Sequence, residues 1–222
     1  MRIALLGGTG EIGEALAVRW AHHTDHEILV GSRDPANARD AVDRYEATLD
    51  AADTTGTIKG FANEMATDRA DIIVLAVPAY HLADTIDAVA DRLADDAIVV
   101  TPAVGMKRDE AGFHYNPPPA GSVTALAADA VPEGTTLVGA FHNLAAGRLA
   151  DLDASFEWDT LVFGNDSSAK AQISRLAEAI DGVRAVDVGG LENAAEVEAL
   201  TPLLINVAQE NEGMHQLGVR LN

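Results

Sequence analysis

The chain opens on the apolar run Arg2-Ile3-Ala4-Leu5-Leu6-Gly7 and turns at once into Gly8-Thr9-Gly10-Glu11-Ile12-Gly13. Few short patterns restrict a fold so tightly, because each glycine answers a steric demand. Gly8 permits the tight turn, Gly10 lets backbone approach a pyrophosphate, and Gly13 lets a helix pack closely on a strand. Ile12, Leu16, Ala17 and Trp20 then share one face of a helix over residues 11–21. Strand, turn and helix in that order present the free N–H groups of a helix N-terminus to an anion. The next apolar stretch, Glu27-Ile28-Leu29-Val30-Gly31, reads as a second strand and ends in Ser32-Arg33, about 20 residues past Gly13. An NAD-binding unit places an acidic side chain there for the ribose 2′-hydroxyl, whereas a hydroxyl and a guanidinium suit a 2′-phosphate. The pairing points to NADP. Glycines also turn chains for no other purpose, and Arg33 alone would serve as a solvated strand-end arginine; the surrounding strand, helix and spacing carry the reading.

The same alternation continues downstream. Asp34 is placed to cap a helix that starts at Pro35 and runs to about Ala52 through Ala38, Val42, Tyr45 and Leu49. After the break at Gly56 come a weak strand over 57–61, a short helix over 64–67, and the continuous apolar run 72–77, which predicts a strand covered on both faces and stopped by Pro78. A helix through Leu82, Ile86, Val89 and Leu93 leads to a strand over 97–100 that ends at Thr101-Pro102. Residues 105–121, with Pro117-Pro118-Pro119, predict a loop, and a helix through Val123, Leu126 and Ala130 precedes a strand over 135–139.

The predicted fold is α/β, a Rossmann-like doubly wound parallel sheet over residues 1–150 that binds NADP, followed by a small C-terminal α/β domain over 151–222. The second part has a strand over 158–163, a helix over 167–180 with Ser167 near its N-cap, a strand over 183–187, and a largely helical stretch over 191–217 despite Pro202. Ligands gather beyond the carboxyl ends of strands in such sheets. That rule groups residues 7–13, Ser32, Arg33, residues 77–80 and residues 101–106, and strand 135–139 delivers Ala140-Phe141-His142-Asn143 to the same edge.

With 222 residues, 48% of them hydrophobic, the chain can bury a sizeable core. Its 35 acidic against 15 basic residues give a formal charge of −20, which disfavours nucleic acid as a partner. The acidic residues spread over apparent helix faces: Asp40, Asp43 and Glu46, then Asp84, Asp87 and Asp91, then Glu192, Glu196 and Glu198. That pattern suits an ordinary solvated surface or, better, a halophilic-type acidic surface in a salt-rich cytoplasm, where screening weakens self-repulsion. The absence of cysteine excludes disulfides and thiolate chemistry. The N-terminal apolar run lacks a cleavage pattern and no stretch reaches transmembrane length, so a soluble, cytoplasmic protein without a membrane partner is expected.

Along nearly its whole length the chain resembles the coenzyme F420-dependent NADP oxidoreductases, which pass hydride between NADP and a deazaflavin. The resemblance rests on Leu5-Leu6-Gly7-Gly8-Thr9-Gly10, His26-Glu27-Ile28, Gly31-Ser32-Arg33, Val77-Pro78, Ala140-Phe141-His142-Asn143, Leu200-Thr201-Pro202-Leu203, Gly213-Met214 and Leu217-Gly218. Many nucleotide domains share the first block; the later ones in this order are more specific. The resemblance implies NADP contacts at Thr9, Gly10, Glu11, Ile12, Ser32, Arg33, Ala79, Met106 and Ala146, beside the turn residues Gly8 and Gly13 and the strand edge Val77-Pro78. It implies deazaflavin contacts at His142, Asn143, Ala146 and Leu217, with the C-terminal domain closing over that coenzyme. Family members can carry a basic residue a few positions after the Ser-Arg pair; this chain has Asn37, so either phosphate affinity is weaker here or Arg39 substitutes. A homodimer is implied too, in keeping with the apolar Leu200, Leu203, Leu204 and Val207, which would pack on their own domain or on a second subunit.

Hydride transfer between two coenzymes requires positioned rings rather than a protein nucleophile. Consistent with this, no Tyr-x-x-x-Lys pair exists, since Leu49, Asp84 and Pro119 stand four residues after Tyr45, Tyr80 and Tyr115. Gly-x-Ser-x-Gly and His-Glu-x-x-His are missing as well. His22, His23 and His26 with Asp25 fall in a helix-to-strand connection away from the cleft, and no metal site is expected. No catalytic residue is assigned outright. His142 is the best-placed ionisable group, either hydrogen-bonding the deazaflavin's polar edge and stabilising charge or satisfied by nearby backbone. His81 reads as a helix-starting residue, and Met214 and Leu217 sit at helical spacing. Three functions stay open: reversible hydride transfer between NADP(H) and coenzyme F420, an NADP-dependent imine or ketone reductase, and a non-catalytic NADP-sensing protein.

Overall fold

Strand residues alternate between two buried faces in the computed structural model, which describes residues 1–222. Strands β1 (Arg2–Leu6), β2 (Glu27–Ser32), β3 (Thr57–Ala62), β4 (Ile72–Leu75) and β5 (Ile98–Thr101) are parallel, with Leu5 opposite Val30 on one side and Val74 on the other. Ile3, Leu5, Ile72 and Val74 face one core and Ala4, Leu6, Ile73 and Leu75 the other. Helices cover both faces, which explains why these strands lack the polar alternation of a half-solvated sheet. Helices α1 (Glu11–His23) and α2 (Pro35–Ala51) lie over the first core, and α3 (Asn63–Thr67) and α4 (Leu82–Val89) over the second. Asp34 caps α2 as predicted, its Oδ1 accepting from the Ala36 amide at 2.9 Å, with Pro35 next in line.

Residues 105–121 are not a plain loop. They contain the antiparallel hairpin β6 (Met106–Asp109) and β7 (Gly112–Tyr115), with Met106 opposite Tyr115. Every residue of β6 is exposed, so no apolar alternation announces it. A distant side chain holds it instead: Asn206 accepts from the Phe113 amide at 2.8 Å and donates to the Phe113 carbonyl at 2.7 Å.

Helix α5 (Val123–Ala130) leads to β8 (Thr136–Gly139), which pairs with β5, and the short α6 (Ala146–Ala150) follows. The C-terminal part then extends the same sheet. Strand β9 (Trp158–Gly164) joins β8 in antiparallel sense, helix α7 (Ser167–Glu178) crosses over, and β10 (Val183–Asp187) lies parallel to β9. The eight strands run β10-β9-β8-β5-β4-β1-β2-β3. Two strands therefore oppose the others in a sheet that is otherwise the expected parallel one. Trp20 of α1 binds the parts together, stacking edge-on to Phe141 at 5.6 Å and donating from Nε1 to the Leu176 carbonyl at 3.0 Å.

Asp166 is the N-cap of α7, its Oδ1 2.7 Å from the Ala169 amide, and Ser167 follows it as the first helical residue. The expected helical stretch 191–217 divides into a turn of 3-10 helix, α8 (Ala194–Glu198) and α9 (Leu200–Glu210), leaving 211–222 as a non-helical tail. Pro202 sits in the first turn of α9, where its missing N–H costs no bond. Glu198, grouped above with solvated acidic faces, is fully buried. Its carboxylate accepts from the amides of Val123 and Thr124 at 2.9 and 2.8 Å, from Thr124 Oγ1 at 2.9 Å and from Tyr115 Oη at 3.0 Å. The free amides at the start of α5 draw an anion from another helix, which spacing along one helix cannot reveal.

Candidate functional site

The carboxyl ends of β1, β4, β5 and β8 open onto one cavity of about 1150 Å³, walled on the far side by α9 and the tail. At the β1 end the left-handed residue is Gly7, at φ +71°, where a Cβ would stand 2.5 Å from Val77 Cγ1. Gly8, expected to supply that turn, is needed for close approach: its Cβ would lie 2.6 Å from the Leu5 carbonyl oxygen. Gly13 fulfils its predicted role, since a Cβ there would come within 2.6 Å of Gly8 Cα. Gly10 is the N-cap of α1 and contributes no side chain. The amides of Thr9, Glu11, Ile12 and Gly13 consequently find no acceptor within the chain and remain available to an anion.

At the end of β2, Ser32 is buried and its Oγ accepts from the Asp34 amide at 3.3 Å. Arg33 is exposed and has no ion pair or side-chain hydrogen bond in the protein. Asn37 and Arg39, one turn on in α2, are exposed as well.

The opposite wall starts at a strained residue. Phe141 adopts φ +68°, a conformation that costs a non-glycine residue on the order of 1 to 3 kcal/mol. Packing of its ring on Trp20 and donation of its amide to Thr160 Oγ1 at 3.0 Å hold it there. The consequence is the placement of His142. That ring is 3% exposed, stacks on Phe163 with centroids 5.4 Å apart, lines the cavity, and leaves both nitrogens without a partner. The backbone reading of this histidine is thus not realised for its ring; only its carbonyl is engaged, by Thr201 Oγ1 at 2.7 Å.

Burial lowers the His142 pKa to about 3, so the ring is neutral at physiological pH. The unfolded chain takes up this proton near pH 6.5 and the folded chain only near 3, so the stabilising contribution is complete above 6.5 and is lost as pH falls between the two. Between pH 7 and pH 5 the loss is expected to be about 2 kcal/mol. Denaturant unfolding across that range checks it, with His142→Gln, less stable throughout, giving a flatter profile; equal slopes would refute the assignment.

Eleven of the seventeen residues singled out in the sequence line the cavity: Gly10, Glu11 and Ile12 from α1, Val77, Pro78 and Ala79 after β4, Met106 of β6, His142, Asn143 and Ala146 after β8, and Leu217 of the tail. The other six do not. Gly8, Thr9 and Gly13 form the turn beneath it, buried Ser32 ends β2 outside the lining, and Arg33 and Asn37 are exposed beyond that strand. Asn143 lines the cavity with its amide already engaged, donating to the Asp159 carbonyl at 2.6 Å. Met214 is exposed and outside the lining.

Thr201, Leu204, Ile205 and Ala208 of α9 and His215 and Gln216 of the tail were not assigned a site role from the sequence, yet all line the cavity. The tail is held by buried Asp159, which pairs with both arms of Arg184 at 2.6 and 2.7 Å and accepts from the Leu221 amide at 2.6 Å. The hydrogen bonds from Arg184 hold the Asp159 carboxyl below the usual carboxylate range. A lone aspartate within an apolar strand is the only trace of this anchor in the sequence.

Fold and site together define a Rossmann-type protein with a largely apolar cavity against its glycine turn. Residues 2–105 match the family model described as NADP oxidoreductase coenzyme F420-dependent. The F420-dependent NADP reductase of Methanocaldococcus jannaschii is 35% identical over 100% of this chain and 98% of its own length, and that of Methanothermobacter marburgensis is 34% identical with the same coverages. The chain belongs to the coenzyme F420-dependent NADP oxidoreductase family. Its fold matches the crystal structure of a putative F420-dependent NADP-reductase from Arthrobacter sp. FB24, with TM-score 0.82 and 22% identity over 100% of this chain and 99% of that one. A pyrroline-5-carboxylate reductase from Coxiella burnetii shares the fold at TM-score 0.61 and 18% identity, over 94% of this chain and 68% of that one.

Proposed function

We propose that this protein transfers a hydride reversibly between NADP(H) and coenzyme F420 in the cavity between α1 and α9. The observation that carries this reading is the cavity's chemistry: 15 of its 26 lining residues are hydrophobic and its one buried ionisable side chain, His142, stays neutral. His142, its pKa lowered by burial to about 3, is not set up to act as a general acid toward an imine or ketone. The residues fit the two coenzymes. The free amides of the glycine turn suit a pyrophosphate, the unpaired Arg33 with Ser32 suits a 2′-phosphate, and the cavity exceeds the roughly 300 to 1,000 Å³ of an ordinary ligand pocket.

When both are bound, the nicotinamide and deazaflavin supply the hydride donor and acceptor carbons. Val77, Pro78, Ala79 and Met106 would hold the nicotinamide, and His142, Ala146 and Leu217 the deazaflavin. The apolar walls exclude water, which protects the hydride from protons. His142 offers one N–H and one lone pair to the polar edge of the second ring without adding charge. Segment 151–222 closes the cavity through α9 and the tail. Leu203 of α9 is 55% exposed, which supports a homodimer on that face; a 23.2 kDa species in sedimentation velocity would refute it. The acidic surface accords with a cytoplasmic, salt-tolerant enzyme. Anaerobic mixing of the protein with NADPH and oxidised F420 at high salt is expected to lower nicotinamide and deazaflavin absorbance together; no change in either band overturns the function.

A further inference from the structure

The glycine turn is held from below by a residue the nucleotide motif does not contain. Tyr45 lies three turns into α2, fully buried, and its Oη donates to the Gly8 carbonyl oxygen at 2.8 Å. That oxygen has no other donor in the protein. The Gly8 amide is committed as well, to the carbonyls of Leu5 and Gly31 at 3.0 and 3.1 Å. A planar trans peptide points its C=O and N–H in opposite directions. With the Gly8 oxygen drawn inward by Tyr45, the N–H of Thr9 must face outward, and it has no acceptor in the chain.

We propose that Tyr45 is a positioning residue for NADP: its hydroxyl sets the orientation of the Gly8–Thr9 peptide and so presents the Thr9 amide to the pyrophosphate. The inference rests on the NADP reading above. Without that hydroxyl the Gly8 carbonyl is a buried orphan, and the donors nearest to hand are the first-turn amides of α1, such as Ile12 four residues on. Engaging one of them rotates the peptide and withdraws an amide from the anion. Burial raises the Tyr45 pKa, so the phenol keeps its proton across the working range. The same helix starts at Pro35, with only its cap Asp34 between it and Arg33. One rigid element therefore ties the pyrophosphate turn to the 2′-phosphate pair.

Calorimetric titration of the whole protein with NADP and with adenosine 2′-monophosphate, which lacks the pyrophosphate, separates this role from a structural one. Tyr45→Phe is expected to bind NADP about tenfold more weakly while its affinity for adenosine 2′-monophosphate stays within twofold of the parent. Tyr115→Phe removes a hydroxyl far from the turn, one bonded to Glu198, and should leave both affinities unchanged. NADP affinity within twofold of the parent in Tyr45→Phe, or equal weakening of both ligands, overturns the inference. In the unsubstituted protein the Thr9 amide should exchange freely with solvent and become protected on NADP addition; protection without NADP also overturns it. A parent protein that binds no NADP at all fails the functional reading itself, and this inference with it.

Discussion

Valine at position 13 is expected to abolish measurable NADP binding, weakening it by more than about 100-fold, while the protein still folds. A Cβ on Gly13 would lie 2.6 Å from Gly8 Cα, 2.8 Å from its carbonyl carbon and 2.9 Å from its oxygen, all backbone atoms that cannot swing aside. Helix α1 must therefore retreat from the turn. Retreat separates the amides of Glu11 and Ile12 from that of Thr9, so one phosphate can no longer reach all of them, and loss of several charge-assisted bonds at about 1.5 to 3 kcal/mol each exceeds 100-fold. Overpacking at such a site costs about 1 to 3 kcal/mol of stability, which the large core beneath α1 should tolerate. Titration of the purified Gly13→Val protein with NADP, beside its thermal melt, checks this. Affinity within threefold of the parent would show that the close packing of Gly13 on Gly8 does not matter to the nucleotide.

Arg33→Ala is expected to lower kcat/KM for NADPH by roughly 10- to 100-fold and for NADH by less than about threefold. The two cofactors differ only in the 2′-phosphate, so the ratio isolates that contact. Arg33 is exposed and unpaired, and its removal leaves no buried group without a partner and should leave the melting temperature unchanged. Ser32 retains one hydroxyl for the phosphate, so some preference for NADPH should persist. The double variant with Arg39→Ala measures whether the second arginine takes the place where Asn37 has no charge. Equal losses for both cofactors would remove Arg33 from 2′-phosphate recognition.

How legible the molecule was depends on how local each feature is. The βαβ unit from Arg2 to Ser32 could be read directly, because glycine turn, helix period and strand-end pair are spelled by residues close in the chain. The hairpin β6–β7 escaped because β6 is exposed throughout and β7 only half-buried, and the residue that holds it, Asn206, is 93 positions from Phe113. Glu198 was grouped with solvated acids because its partners, Val123 and Thr124, belong to another helix. In the glycine turn the left-handed residue is Gly7, while Gly8, read as the residue that permits the turn, is needed for close approach to Leu5.

His142 shows the division most plainly. Its place at a strand end facing the ligand edge followed from the chain alone, but its charge state did not. Phe163 stacks on its ring and Thr201 holds its carbonyl, each from a separate segment, and burial in the folded chain lowers its pKa to about 3. The sequence by itself determined the α/β order, the nucleotide turn and the preference for a 2′-phosphate, since short spacings and local sterics decide those. The tertiary structure alone decided the second wall of the cavity, formed by α9, a tail anchored on Asp159 and a neutral histidine, because desolvation and close approach depend on residues that meet only in the folded chain.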